Sequence, residues 1–440
     1  MKKFTVLFVA ILICLGQMAS AQGILGLINR SNQFFEHLDK GEFEAAHAFF
    51  DDSVKDKILP EELKLFWTRM DLNLGAFESV EGAQNQNAGE YFLVTLNCKF
   101  SKGSQAFQFT FNKQEKLVGF FLVPNSNAAG YSQPAYADST LYKETPITIK
   151  SPGHELAGML VTPKNAKNFP VVVLVHGSGP SDMDETVGPN KPFKDLAMGL
   201  AAKGIATVRY VKRTKVYSYE FRKAFTTKEE VTDDALAAIA YAKTVTGADP
   251  KQIYLLGHSL GGMMAPKLAT LSLDLKGIIL AAAPANKFTD VLIEQNKYAF
   301  EGLKDTAQAT RKTLDQTLKE LERTRITQLG KMKPDSVILG LPASYWIDLN
   351  QYDQVGTAAK LKNRILVIHG GMDFQVQDNH LQIWKEALGK KKNVTFKAYP
   401  NLNHLLAEVT EKGSLAQYRT PRNVSANLIS DLAEWIRQPE

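Results

Sequence analysis

The chain has 440 residues, more than a single hydrophobic core usually organises, so two domains are expected. A hydrophobic content of 44% with 22% charged residues excludes intrinsic disorder. The net charge of +6 comes with no arginine-rich stripe and no aromatic–basic interleaving, which excludes a nucleic-acid-binding surface.

Lys2-Lys3 open the chain ahead of an apolar run, Phe4 to Leu15, that is short for a bilayer span; Ala19-Ser20-Ala21 follows. This pattern predicts a signal peptide over residues 1–21, cleaved after Ala21. The protein is therefore expected to be exported, periplasmic or secreted, without stable membrane anchoring. Loss of Lys2 and Lys3 leaves a mature charge of +4. Ile13 precedes Cys14 where lipidation needs a small residue. The mature chain keeps one cysteine, Cys98, and so forms no internal disulfide. Cys98 alternates with polar residues in a strand-like run without a local base motif, which argues against thiol catalysis.

Residues 23–125 read as a small α+β domain. Phe34, Phe35, Leu38, Phe43, Ala46, Phe49 and Phe50 recur at helical spacing within Asn29 to Asp51, and a second helix is expected from Glu61 to Met70. The period then changes: Tyr91 to Leu96, Ala106 to Phe111 and Leu117 to Val123 are strand-like runs separated by turns. With Gly41-Glu42-Phe43 and Trp67, this pattern resembles the nuclear-transport-factor-2-like domains that precede some bacterial hydrolases. His37 and His47 lack metal-ligand spacing.

Residues 126–144, rich in Asn, Ser, Ala, Pro and Tyr, read as a linker. From 145 to 440 the pattern is α/β. Ile147 to Ile149 and Leu156 to Val161 suggest an opening hairpin. Val171 to Val175, Ile205 to Arg209, Ile253 to Leu256, Gly277 to Leu280 and Ile365 to Ile368 are buried-type strands, followed by Val394 to Ala398. Helices are expected between them at Phe193 to Lys203, Glu229 to Val245, Ser259 to Leu271, Gln377 to Leu388 and Asn423 to Arg437. Such alternation implies a mostly parallel sheet with helices on both faces. It stops over residues 284–361, which are expected to form a helical cap.

An apolar strand runs directly into Gly257-His258-Ser259-Leu260-Gly261, and a helical pattern follows. Gly-x-Ser-x-Gly in that context is a strained strand–turn–helix elbow that exposes a serine nucleophile, here Ser259. A serine hydroxyl needs a base, and the base needs an orienting acid. Along the chain the acid and then the base follow this type of elbow. His404 lies beyond the last strand and before the final helix, where the base belongs, whereas His380 comes too early and on a helix. Asp373 sits just past the strand Ile365 to Ile368 and is the favoured acid; Asp378 is the runner-up, near a helix start where capping accounts for it, and Asp353 precedes the strand. The small residues of His176-Gly177-Ser178-Gly179-Pro180 let backbone N–H groups approach a carbonyl oxygen. Ser178 N–H, paired with Leu260 N–H, is expected to form an oxyanion hole. That segment has no phosphate-loop fingerprint, and no cofactor or metal is expected.

His176 to Pro180 with Asp182 and Asp184-Glu185, the Gly257 to Gly262 elbow, Gly371-x-Asp373 and His404 resemble bacterial α/β-hydrolase esterases with an added N-terminal domain, related to serine aminopeptidases and dienelactone hydrolases. The resemblance spans roughly residues 145 to 437. It implies an α/β-hydrolase fold and Ser259, Asp373 and His404 as the triad, acting on short-chain esters of small molecules. Val211 departs from relatives, which commonly carry Asp there, and Arg209, Lys212 and Arg213 beside it read as a solvated basic loop. His176 and His258 are expected to pack and hydrogen-bond around the elbow. An aminopeptidase on the same fold needs an acid for the free amine; Glu294, Glu301 and Asp305 are available but read as solvent-facing. A non-catalytic binding protein need not keep every one of these elements.

Overall fold

The computed structural model describes residues 26–438 except 89, 124–130, 165, 218, 219, 222 and 303–307. The expected signal peptide lies outside the described residues. The chain divides into two units, Met1–Ala129 and Gly130–Glu440.

In the first unit, helix α1 spans 26–39. The single helix expected from Asn29 to Asp51 breaks at Gly41, whose φ of +74° is left-handed and suits glycine. Two short helices follow, α2 (Phe43–His47) and α3 (Asp52–Lys55), the latter capped by the Asp51 side chain, which accepts from Ser53 N–H at 3.0 Å. Helix α4 (Pro60–Leu74) starts on a proline and ends at Gly75. Strands β1 (Phe77–Ala88), β2 (Tyr91–Phe100), β3 (Gly103–Phe111) and β4 (Leu117–Val123) form an antiparallel meander in that order. Phe34, Phe35, Trp67, Phe100, Phe107 and Phe109 are the bulk of the core between helices and sheet. Each buried aromatic contributes about 2 kcal/mol of hydrophobic stabilisation. Cys98 is fully buried there, and burial pushes its thiol up to about 12, so it is no nucleophile at neutral pH. His37 pairs with Glu42 at 2.7 Å and His47 faces Lys55 O at 3.1 Å, both local contacts.

In the second unit, residues 131–141 lead into a hairpin of β5 (Tyr142–Ser151) and β6 (His154–Pro163). Part of the stretch expected as linker is pinned down here: Tyr131 Oη donates to Asp195 at 2.6 Å and Tyr136 Oη to Val424 O at 2.7 Å. Strands β7 (Phe169–Val175), β8 (Ala206–Tyr210), β9 (Ala248–His258), β10 (Gly277–Ala281), β13 (Arg364–Gly370) and β14 (Val394–Tyr399) complete an eight-stranded sheet ordered β14-β13-β10-β9-β7-β8-β6-β5. All of these six pair in parallel; β6 runs antiparallel to its neighbours. The apolar strand runs split by parity. Val171, Val173, Ile253, Leu255, Ile278 and Leu280 pack on one face, and Val172, Leu174, Tyr254, Leu256, Ile279 and Leu366 on the other. A strand buried on both sides needs such a continuous run. Helices α7 (Asp233–Ala242), α8 (Leu260–Leu271) and α13 (Asp378–Leu388) cover the first face, and α5 (Pro192–Ala202) and α14 (Ala426–Arg437) the second. A short helix α6 (Arg213–Val216) follows β8. The unit has the α/β-hydrolase fold, preceded in the chain by a small β-rich unit.

Between β10 and β13 lie α9 (Phe288–Gly302), α10 (Gln308–Glu322), the two-residue strands β11 (Val337–Ile338) and β12 (Leu341–Pro342), α11 (Ala343–Gln351) and α12 (Gln354–Lys360). Helix α12 packs on α8 and α13 with Ala358 fully buried, so this end of the insertion is the crossover helix of the sheet. Among the described residues no helix is long and apolar enough to cross a membrane, and no group of His, Cys, Asp and Glu is placed to hold a metal ion.

Candidate active site

Ser259 occupies the turn between β9 and α8 with φ +51° and ψ −118°, a region non-glycine residues avoid. The surroundings enforce it. Ser259 N–H donates to Ala281 O at 2.9 Å, and Met263 N–H to Ser259 O at 2.9 Å. A β-carbon on Gly257 would stand 2.1 Å from Gly261 O, and one on Gly261 2.1 Å from Val175 O. The glycines are therefore required by backbone approach, as the motif implies.

Asp373 follows β13 through Gly370 and Gly371, a turn closed by Asp373 N–H to Gly370 O at 3.0 Å. Its Oδ1 accepts from Gln375 N–H at 2.8 Å and Val376 N–H at 2.9 Å, and its Oδ2 lies 2.7 Å from His404 Nδ1. Burial alone raises the pKa of this fully buried carboxyl, but the His404 imidazole and the two N–H groups hold it below the usual carboxylate range. A neutral imidazole that donates Nδ1–H to a carboxylate carries its free lone pair on Nε2, the arrangement a general base needs. The loop that carries His404 is held in turn: Asn403 Oδ1 accepts from Leu405 N–H and Ala407 N–H, and Met372 N–H donates to Leu402 O at 3.0 Å. Asp378 is not the N-cap of α13, which is Gln377; its side chain is 71% exposed and accepts from His369 at 2.8 Å.

The loop after β7 lies against the elbow, since a β-carbon on Gly177 would sit 3.2 Å from Ser259 Cβ. Gly177 N–H donates to Glu185 Oε1 at 2.6 Å and Gly179 N–H to Glu230 Oε1 at 3.1 Å. Among the described residues no acceptor takes the N–H of Ser178 or of Leu260.

The family model described as "Serine aminopeptidase, S33" matches residues 166–411, more than half of the chain. Esterase EstD of Thermotoga maritima is 34% identical over 403 residues, covering 92% of this chain and 93% of that protein. The chain belongs to this hydrolase family. Residues 31–120 match a second model, "Protein of unknown function (DUF3887)". Among solved structures, Est1E from Butyrivibrio proteoclasticus is 17% identical with a TM-score of 0.42, covering 66% of this chain and 98% of its own. The acylaminoacyl peptidase of Pyrococcus horikoshii is 18% identical with a TM-score of 0.44, covering 82% of this chain and 49% of its own.

In this family member the loop expected to be solvated and basic is buried. Arg209, Lys212 and Arg213 are 2%, 2% and 4% exposed. Arg209 pairs with Asp184 and Glu144, Lys212 with Glu230, and Arg213 with Asp234. Their partners come from distant segments, so proximity along the chain gave no sign of the pairing. In the sequence Glu185 stood out only as a member of the family-like acidic run, and Glu230 not at all. Glu185 bridges two elements: its Oε1 holds Gly177, and its Oε2 stands 3.0 Å from His258 Nδ1. His258 Nε2 lies 2.8 Å from His404 O, so the imidazole spans Glu185 behind the Gly177 loop and the loop that carries His404. Burial disfavours charge on His258, but the Glu185 carboxylate outweighs it and raises the pKa. Glu185 shows the reverse balance: burial raises its pKa, and the facing imidazole brings it below its usual range. The acidic run Asp182 to Glu185 behind the glycine loop was the available signal.

From the insertion, Tyr298 of α9 stacks on Phe374 at 5.8 Å, and Gln295 donates to Gln375 O at 3.1 Å, beside the Asp373 turn. Of the acids weighed for amine recognition, Glu294 is occupied by His380, Asn286 and Asn379, Glu301 is exposed, and Asp305 lies outside the described residues.

Proposed function

We propose that this chain, a carboxylic ester hydrolase, cleaves short-chain acyl esters of small molecules through Ser259, His404 and Asp373 and an acyl-enzyme intermediate. The observation that carries the reading is the buried 2.7 Å contact of Asp373 with His404 Nδ1, on loops at the same strand ends as the strained Ser259 elbow. His404 Nε2 takes the hydroxyl proton as Ser259 Oγ bonds to the ester carbon, and the carbonyl electrons become an oxyanion facing Ser178 and Leu260 N–H. Collapse expels the alcohol, which receives the proton from His404, and water repeats the sequence to release the acid. Occupation of Glu294 by His380 supports esters over peptides with a free amine. The name of the relative EstD supports the same choice.

Ser259→Ala is expected to abolish hydrolysis of p-nitrophenyl acetate without loss of fold, and a fluorophosphonate is expected to label Ser259 alone. Unchanged turnover in that variant refutes the assignment. An ester series of rising acyl length beside aminoacyl amides separates esterase from aminopeptidase.

We also propose export, on the signal-peptide pattern of residues 1–21. Protein from the cell envelope is expected to begin at Gln22 by amino-terminal sequencing, and a start at Met1 refutes it. The helices-on-meander arrangement of the first unit supports a nuclear-transport-factor-2-like reading of that unit.

A further inference from the structure

The peptide groups around Ser178 are tied on three sides. Gly177 N–H and Gly179 N–H each donate to a buried carboxylate, Glu185 and Glu230. Lys212 supplies the third tie: its Nζ donates to Gly177 O at 2.9 Å and to Glu230 Oε1 at 2.7 Å. Gly177 C=O and Ser178 N–H belong to one planar peptide group. A cation on the oxygen therefore fixes the direction of the Ser178 N–H and, by polarising the amide, makes it a stronger donor. The charge on Lys212 also compensates Glu230, which otherwise places an unpaired carboxylate beside a developing oxyanion.

Glu230 reaches the insertion as well. Its Oε2 accepts from Tyr345 Oη at 2.5 Å, and Tyr345 lies on α11. Glu230 itself sits on a single π-helical turn, Lys228–Thr232, a distortion common at functional sites. Helix α11 is fastened to this stretch by Thr227 N–H to Asp348 Oδ2 at 3.0 Å and Ser344 Oγ to Phe225 O at 2.7 Å. Desolvation offsets most of the Coulomb gain of a buried ion pair, so stability alone does not account for this network.

We propose that Lys212, Glu230 and Tyr345 are positioning residues that set and polarise the Ser178 N–H, coupling the inserted segment to the oxyanion loop. The inference rests on Ser178 and Leu260 N–H serving acyl transfer at Ser259. Full-length Lys212→Met, Glu230→Gln, Glu230→Leu and Tyr345→Phe are compared on p-nitrophenyl acetate, with active sites counted by fluorophosphonate labelling. Removing a direct oxyanion donor costs about a hundredfold or more in kcat, so a misdirected donor in Lys212→Met is expected to cost on the order of tenfold to a hundredfold. KM is expected to stay within about threefold, because the interaction strengthens in the transition state. Affinity for a boronic-acid transition-state analogue is expected to fall in step. Tyr345→Phe shows a smaller loss, and Glu230→Gln retains more activity than Glu230→Leu because its amide oxygen still accepts from Gly179. A purely structural role lowers thermal stability and leaves kcat per labelled site unchanged. Kcat and boronate affinity within about twofold of wild type in folded Lys212→Met overturn the proposal. If Lys212→Met does not fold, the same result in Glu230→Gln and Tyr345→Phe overturns it. Failure of the wild type to label at Ser259 instead removes the underlying acyl-transfer reading.

Discussion

Asp373 and Asp378 both follow β13, and their surroundings assign them opposite parts. Asp373 is fully buried and accepts two backbone N–H groups while facing His404. Asp378 is largely exposed at the first turn of α13. In Asp373→Asn the amide cannot accept from both backbone donors and also hold the proton on Nδ1, so kcat is expected to fall by about a thousandfold or more. Asp378→Asn is expected to stay within about twofold, as surface substitutions usually do. Steady-state kinetics on one p-nitrophenyl ester decide it, and the reverse order moves the acid to Asp378. The proposed triad of Ser259, Asp373 and His404 was legible because each sits where a strand pattern ends, in a fixed order along the chain. Lys212 and Glu230 were not, because a lysine in a loop and a glutamate in the first turn of an expected helix look solvated until the fold brings them together.

The loops at the strand ends were legible as places and illegible as structures. The glycines after β7 announced a close backbone approach, but not the side chains that hold it. His176 shows what such a loop conceals: it is buried, its Nε2 lies 2.9 Å from Asp182 O, and burial pushes its pKa down to about 4. The unfolded chain, with an ordinary histidine near 6.5, binds more protons than the folded chain between those values. The stability contributed by neutral His176 is therefore complete above 6.5 and lost as pH falls through 4, a change of about 3 kcal/mol. Urea unfolding at pH 7 and pH 4.5 is expected to show a smaller fall for His176→Gln, which keeps an N–H donor, than for wild type. Parallel falls in the two proteins refute a special role for this imidazole. Elements were otherwise readable where one period ran unbroken, as in the five buried strands. Reading failed where a tertiary demand interrupted the period: at Gly41, at the π turn before α7, and at α12, where crossover helix and insertion run together.

At the scale of the molecule, the change from helix-then-meander to strand–helix alternation made the α/β-hydrolase class legible, because each pattern buries its apolar residues differently. The two units have cores without a shared residue: Phe34, Trp67 and Phe107 belong to one, and Val173, Leu255 and Leu366 to the two faces of the other. All residues assigned to ester cleavage, from Ser178 to His404, lie in the second unit. A domain with its own core is expected to fold alone, so a chain beginning at Gly130 is expected to be soluble and cooperatively folded. Its kcat on p-nitrophenyl acetate is expected within about threefold of the full chain, because the chemistry depends on geometry inside one core. The starting residue matters. Tyr131 donates to the buried Asp195 at 2.6 Å, Asn423 to Ser132 O at 2.8 Å, and Ala137 is 2% exposed, so a start at Thr140 strips packing from α5 and α14. The 130 start is therefore expected to melt several degrees above the 140 start, as scanning calorimetry measures. Folded, soluble protein from residue 130 that labels with fluorophosphonate yet turns over no small ester refutes the independence of the second unit, and assigns residues 23–125 a part in the site itself.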